Sequence, residues 1–301
     1  MPTIASARYG KDNVRVFKVD RDGPKQTVTE MTVCCLLEGA IETSYTAADN
    51  SVVVATDSIK NTIYIKAKEN PVNPPELYAS ILGTHFLETY PHISVANIRI
   101  VVNRWTRLDV DGKPHPHSFL RDGEEMRTVE ARVSRDAGIS LRSGIDKLTV
   151  LKSTGSAFHG FVRDEYTTLP ETWDRIFSTD VTAAWSWPTF SRGLTAVREI
   201  SDRFNFAWNA ARAITLKTFA EDESASVQNT MYKMCEQILD AVPEVASVGY
   251  ELPNKHYFEI NLSWHKGTKN TGKDAEVYAP QHGGPNGLIK VEVARTREQK
   301  L

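Results

Sequence analysis

Leu148 to Arg175 reads LTVLKSTGSAFHGFVRDEYTTLPETWDR and sets an aromatic ring, Phe158, and a guanidinium, Arg175, in one segment. A planar organic anion is best held by a ring stacked on its face and a planar fork of donors along its edge, which are the contacts these two residue types supply. Taken singly, a phenylalanine packs in a core and an arginine is a solvated charge. Farther along, Val227, Met231, Met234 and Ile238 make the apolar face of a helix that Ser224 or Ser226 can cap. Free backbone N–H groups at such a helix start favour an anion beside Gln228.

Other constellations carry less. Asp109-x-Asp111-Gly112 has part of a calcium loop but lacks the remaining oxygen ligands and the closing glutamate, so it reads as a hairpin turn. His115-Pro116-His117 invites a metal, but spacing positions no third ligand. No dinucleotide fingerprint or phosphate loop supports a nucleotide cofactor. Cys34 and Cys35 are adjacent and Cys235 is distant, a pattern that makes neither a disulfide framework nor a C-x-x-C metal site and suits a reducing setting. The net charge of -2 gives no global field for nucleic acid, so any anion site must be local. No apolar run approaches membrane-spanning length and no signal peptide is evident, so a soluble protein with no membrane partner is expected.

The 148–175 segment resembles the signature of urate oxidase at Lys152, Ser153, Thr154, Ser156, Phe158, Phe161, Tyr166, Leu169 and Arg175. The resemblance extends over essentially the whole chain through YGKD at Tyr9 to Asp12, VATDSIKNT at Val54 to Thr62, SASVQ at Ser224 to Gln228 and LPNKHYFEI at Leu252 to Ile260. It implies a proton-handling triad of Lys11, Thr56 and His256. It also implies substrate-binding positions at Thr56, Asp57, Phe158, Arg175, Val227, Gln228 and Asn254, with Thr56 and Asn254 holding dioxygen, then water, above the ring. Beside Arg175, the amide of Gln228 can read the carbonyl and N–H groups of a purine edge. The implied reaction converts urate, dioxygen and water into 5-hydroxyisourate and hydrogen peroxide without a metal or other cofactor. The implied assembly is a homotetramer whose sites are shared between subunits, in a peroxisome. Gln299-Lys300-Leu301 matches only the last two residues of the S-K-L peroxisomal address. Two rivals are a purine- or pterin-transforming relative of the same fold and a non-catalytic purine- or pterin-binding protein; an intact Lys11, Thr56 and His256 set argues against the second.

The elements that must position these residues read as α+β. Val14 to Val19 and Thr27 to Leu37, separated by the turn-rich Asp20 to Pro24, predict a β-hairpin. Ser51 to Ala55 reads as a further strand, with a helical approach over Asn61 to Lys66. Pro74-Pro75-Glu76 opens a helix with Leu77, Ile81, Leu82, His85 and Phe86 on one face, which makes His85 a core-edge residue. Strands follow over Asn97 to Arg107 and after Asp111-Gly112. In the second half, strands are expected at Leu148 to Lys152, Phe158 to Arg163, Ser247 to Leu252 and His256 to Trp264, with helices within Thr195 to Asp240. The resemblance implies two tandem tunnelling-fold domains, 1–138 and 139–301, each an antiparallel sheet with helices on its outer face.

Overall fold

Alternating apolar residues do build the first hairpin: β1 (Tyr9–Asp20) and β2 (Thr27–Gly39) pair antiparallel. Val14, Val16, Met31, Val33, Cys35 and Leu37 turn one side of that hairpin into core. The computed structural model describes residues 2–21, 23–281 and 283–296. The expected C-terminal address, Gln299 to Leu301, lies outside them.

After β2 come α1 (Glu42–Thr46), a 3-10 turn at Asn50–Val52, α2 (Thr56–Glu69) and α3 (Pro75–Thr89). The strand expected over Ser51 to Ala55 is therefore not formed. Asp49 accepts a hydrogen bond from the Ser51 N–H at 2.9 Å, which starts a tight turn instead. The chain continues through β3 (Ile93–Asn103), β4 (Thr106–Val110), β5 (Lys113–Leu120), β6 (Met126–Ser134), β7 (Gly138–Lys152) and β8 (Phe177–Ser186). Then α4 (Leu194–Glu199), α5 (Ser201–Glu221) and α6 (Val227–Ala241) precede β9 (Ser247–Glu259), β10 (Tyr278–Gln281) and β11 (Leu288–Ala294). Asp111 and Gly112 both take positive φ, 54° and 75°, and so close the β4–β5 hairpin. Two strands expected at Ser247 to Leu252 and His256 to Trp264 are one, because β9 runs unbroken through Pro253 to Glu259. Pro253 is tolerated where it pairs with Leu288 at the end of the β11 ladder.

All strands but β4 and β5 form one antiparallel sheet in the order β1-β2-β3-β6-β7-β8-β9-β10, with β11 also on β9. Each half follows the same plan: two strands, two long helices, then strands that return to the sheet. These are tandem tunnelling-fold halves in an α+β chain. The sheet passes from one to the other without a break, since β6 and β7 pair from Ser134 and Gly138 onward.

Helices cover one face of the sheet. Tyr78, Ala79, Leu82 and Phe86 of α3 are buried against it, as are Phe204, Ala207 and Ala211 of α5 and Val227, Met231, Met234 and Ile238 of α6. At Gly83 a Cβ would lie 2.4 Å from Val133 Cγ2, so only glycine lets α3 approach the sheet that closely. The other face is polar, with Arg99, Glu130 and Arg142 as successive cross-strand neighbours. Cys34, Cys35 and Cys235 are unpaired and buried in this scaffold. Burial pushes the Cys34 thiol up to about 11 and Cys235 up to about 12, and raises Cys35 as well. Among the described residues no helix is long and apolar enough to cross a membrane.

A buried ion pair of the first half is hydrogen-bonded to the second. Glu76, fully buried on the first turn of α3, accepts from Arg127 Nη2 at 2.6 Å and from Ser143 Oγ at 2.7 Å. Arg127 Nη1 reaches Asn205 of α5 at 2.6 Å, and Trp187 Nε1 donates to Ser143 Oγ at 3.0 Å. Removing one partner of such a pair leaves the other as an uncompensated buried charge, so Glu76→Ala is expected to cost about 3 to 5 kcal/mol. Denaturant unfolding of variant and parent at equal protein concentration measures it; a loss below about 1 kcal/mol would show the pair to be idle.

Candidate functional site

The segment with the strongest chemical pattern leaves the sheet after Lys152 and returns at Phe177 as β8. The strand expected at Phe158 to Arg163 is absent, because Gly155 and Gly160 turn the chain at φ 77° and 70°. A closed loop results. Phe158 and Thr172 exchange reciprocal backbone hydrogen bonds of 2.7 and 2.9 Å. At its root, Asp174 accepts from Thr154 Oγ1 at 2.6 Å and from the Gly155 N–H at 2.8 Å. Tyr166, Leu169 and Trp173 are left exposed on the loop's outer side.

Within the loop, Phe158 stacks on Phe161 with centroids 4.8 Å apart, and the Arg175 guanidinium carbon lies 5.3 Å from the Phe158 ring centroid. Arg175 is half-buried, and its Nε is shut off from solvent without a hydrogen-bond partner. Among the described residues no carboxylate lies within ion-pairing distance of it. Burial alone holds its pKa below the usual guanidinium value. The site thus contains a half-buried cation for which the described residues supply no counter-charge.

A second tether brings α6 to the loop. The Ser224 N–H donates to the Gly155 carbonyl at 3.1 Å and the Ala157 N–H donates to the Ser224 carbonyl at 2.9 Å. Three residues later α6 begins at Val227, and of the two candidate caps it is Ser226 that accepts from the Asn229 N–H, at 3.4 Å. Gln228 sits exposed on this first turn, with Ser226 Oγ donating to its Oε1 at 3.1 Å. Asp222 steadies the approach: its carboxylate takes Lys233 Nζ at 2.6 Å, and its carbonyl takes Lys152 Nζ at 2.7 Å.

Sheet register adds two more residues. Asn254 on β9 stands opposite Thr179 of β8, and His256 follows two positions on, opposite Gln281 of β10. Alternation puts both on the side of the sheet shared by Val248, Tyr250 and Leu252, which α6 covers. Phe158, Arg175, Val227, Gln228, Asn254 and His256 therefore gather at one end of the second half.

Lys11, Thr56 and Asp57 gather elsewhere. Lys11 pairs with Cys35 on β1, just before a bulge where Asn13 takes φ 58°. Tyr9 Oη accepts from the Val54 N–H at 2.6 Å and so holds the start of α2 against β1. Thr56 and Asp57 are the first two residues of α2, whose first-turn N–H groups lack partners within the helix. The exposed Asp57 carboxylate takes Lys60 Nζ at 2.6 Å and Asn61 Nδ2 at 2.9 Å; Lys60, and more weakly the charge of Lys11, hold its pKa down. Four strands separate β1 from β8, so at about 4.8 Å per spacing the two groups stand on the order of 24 Å apart along the sheet. One chain does not bring them together.

Sequence reading passed over Asp174, Asp222 and Thr179, whose Oγ1 is buried without a partner beside Asn254. Only the adjacency of Asp174 to Arg175 hinted at a role, and adjacency does not show where a carboxylate turns. His115 and His117 meet edge to face with centroids 4.6 Å apart, and among the described residues no group of three or more His, Cys, Asp or Glu side chains is placed to hold a metal.

Known proteins share this architecture. The Uricase family model matches residues 7–132 and 141–290, one segment in each half. The chain is 67% identical over 304 residues to the uricase of Emericella nidulans, covering 100% of each chain. It is 65% identical over 298 residues to that of Aspergillus flavus, covering 98% of each. Its fold is similar to the crystal structure of uricase from Arthrobacter globiformis, with a TM-score of 0.86, 34% identity, and 99% of this chain and 97% of that one covered. A loop that presents an unneutralised arginine to an aromatic face, on a sheet of two like halves matched along nearly its whole length, places the chain in the uricase family.

Proposed function

We propose that the chain oxidises urate with dioxygen and water to 5-hydroxyisourate and hydrogen peroxide, without a cofactor, in sites shared between subunits of a homotetramer. Urate oxidation itself follows from membership of the uricase family. The observation that carries the finer reading is the Arg175 guanidinium, half-buried, unpaired at Nε and 5.3 Å from the Phe158 centroid. A urate anion stacked on Phe158 supplies the missing counter-charge and accepts charge-assisted hydrogen bonds. Gln228 reads the adjoining edge, and the backbone N–H groups that begin α6 at Val227 and α2 at Thr56 and Asp57 favour further anionic or carbonyl oxygens.

Urate supplies both electrons. A proton leaves urate through the Thr56 hydroxyl to the Lys11 amine, while His256 orients the relay. The resulting dianion passes two electrons to dioxygen, which recombines at C5 as a hydroperoxide. Loss of hydrogen peroxide leaves a dehydrourate, and water adds at the same carbon to give 5-hydroxyisourate. Thr56 and Asn254 hold dioxygen and then water above the ring with neutral polar groups that do not impose a competing fixed charge. A peroxisomal setting, where peroxide is destroyed, fits this product.

The shared site rests on the separation of Lys11 and Thr56 from Arg175 within one chain. A two-fold pair would bring the β1 edge of one subunit to the β8–β9 end of the other, and reciprocally.

Four outcomes test this reading. Chelated, metal-free protein should consume urate and release peroxide in equal amounts at the parent rate; activity that returned only with a stoichiometric divalent ion would overturn cofactor independence. Arg175→Ala should fold and lose about 2 to 5 kcal/mol of urate binding through the missing charge-assisted contact, measured by titration in oxygen-free buffer. Lys11→Met should bind urate nearly as the parent does but turn over roughly 10²- to 10⁴-fold more slowly. Co-refolding these two inactive variants in equal amounts should restore about a quarter of sites, since one of four random ordered pairings carries neither lesion. Mixed oligomers that recovered nothing would place every residue of the site in one chain.

A further inference from the structure

Asp174 immediately precedes Arg175, yet its carboxylate does not pair with that guanidinium. It is taken up by the loop root: Oδ2 accepts from Thr154 Oγ1 at 2.6 Å, Oδ1 accepts from the Gly155 N–H at 2.8 Å, and the N–H groups of Ser156 and Arg175 are also directed to it. The same Gly155 peptide offers its carbonyl to the Ser224 N–H, and the Ser224 carbonyl takes the Ala157 N–H. Next in line, the Phe158 N–H is fixed to Thr172. One carboxylate thus lies at the node joining three parts of the site: the strand entry that bears Arg175, the loop that bears Phe158, and the segment leading to Gln228.

We propose that Asp174 is a positioning residue for urate binding: by clamping Thr154 to Ser156 it holds the Phe158 ring against Arg175, and by turning into the loop it leaves the guanidinium free for the substrate anion. The proposal rests on the reading that Phe158 and Arg175 hold urate. Both parts follow from geometry. A turn with positive φ at Gly155 has no side chain of its own to fix it, so the exposed loop depends on hydrogen bonds at its root. A carboxylate swung onto Arg175 would instead compete with the ligand for the same donors.

The test compares Asp174→Ala, Asp174→Asn and Arg175→Ala in intact oligomers, with urate Kd measured in oxygen-free buffer and kcat and KM measured in air. Asp174→Ala should weaken urate binding about 10- to 100-fold, the scale on which ångström misplacement of a binding group acts, with a smaller change in kcat. Asp174→Asn keeps an oxygen for the Gly155 N–H and an amide that can donate to Thr154 Oγ1, so it should recover to within about threefold of the parent. A residue that served stability alone would lower the melting temperature and leave Kd unchanged well below it. Parent-like Kd in Asp174→Ala together with lost binding in Arg175→Ala overturns the clamp, whereas parent-like Kd in both overturns the reading of the site itself. Failure of Asn to recover binding overturns positioning in favour of a need for the charge. If Asp174→Ala does not fold, Thr154→Val removes one clamp contact and should raise Kd about threefold to tenfold; an unchanged Kd refutes the proposal.

Discussion

The width of an unbroken antiparallel sheet limits what one chain can do by itself. Strands stand a fixed hydrogen-bonding distance apart, so residues at opposite ends of a long sheet cannot meet however well each is placed. Lys11 and Thr56 are held beside β1, and Arg175, Asn254 and His256 belong to β8, β9 and their approaches. A hollow of about 720 Å³ on the sheet's open face, lined by Arg99, Glu130 and Arg142 among others, includes none of the expected site residues. The two groups of candidate residues stand far apart in one chain, and closed symmetry between subunits is the arrangement the proposed shared site requires. A sheet with open edges also needs those edges covered.

Arg175 shows how an anion site can be prepared in advance. Removing a guanidinium from water without a counter-charge costs free energy, which burial expresses by lowering its pKa. The empty site is therefore less stable than it would be with a carboxylate in place, and an anion that binds recovers that difference as affinity. Such a residue is tolerated because the scaffold around it is heavily determined: reciprocal backbone bonds between Phe158 and Thr172, the Ser224 tether, and the β8–β9 register. Local instability at a site is commonly the counterpart of function.

Much of this was legible in the sequence, for identifiable reasons. The first hairpin and the apolar face of α6 follow from periodicities of two and 3.6 that burial then obeys, whereas α3 forms as expected but buries Tyr78, Ala79, Leu82 and Phe86 and leaves Leu77, Ile81 and His85 half-buried at the edge. Misreadings fell where local hydrogen bonds or glycine override residue preference. Ser51 to Ala55 is rich in valine yet is turned by the Asp49 side chain, and Phe158 to Arg163 is apolar enough for a strand yet is bent at Gly160 and preceded by the Gly155 turn. The candidate site residues come from motif resemblance rather than from spacing, since Lys11 and His256 taken alone look like any surface lysine and strand histidine. Where the Asp174 carboxylate turns is a three-dimensional fact, and no periodicity encodes it.

Under the proposed reaction hydrogen peroxide is released at every turnover, and the protein's own sulfur is its natural target. Peroxide attacks the thiolate rather than the thiol, and the resulting sulfenic acid can proceed to irreversible acids. In this chain Cys35 and Cys235 are sealed in the core, and Cys34 is largely buried at the floor of the open-face hollow. With the Cys34 thiol raised to about 11, only about one molecule in 10⁴ carries a thiolate there at neutral pH, and Cys235 at about 12 carries fewer still. Met31, Met231 and Met234 are likewise sealed in the core. The burial that packs the sheet against its helices thereby also shields Cys35 and Cys235 from the peroxide of the proposed reaction, while Cys34, at the floor of the open-face hollow, is protected mainly by its raised pKa.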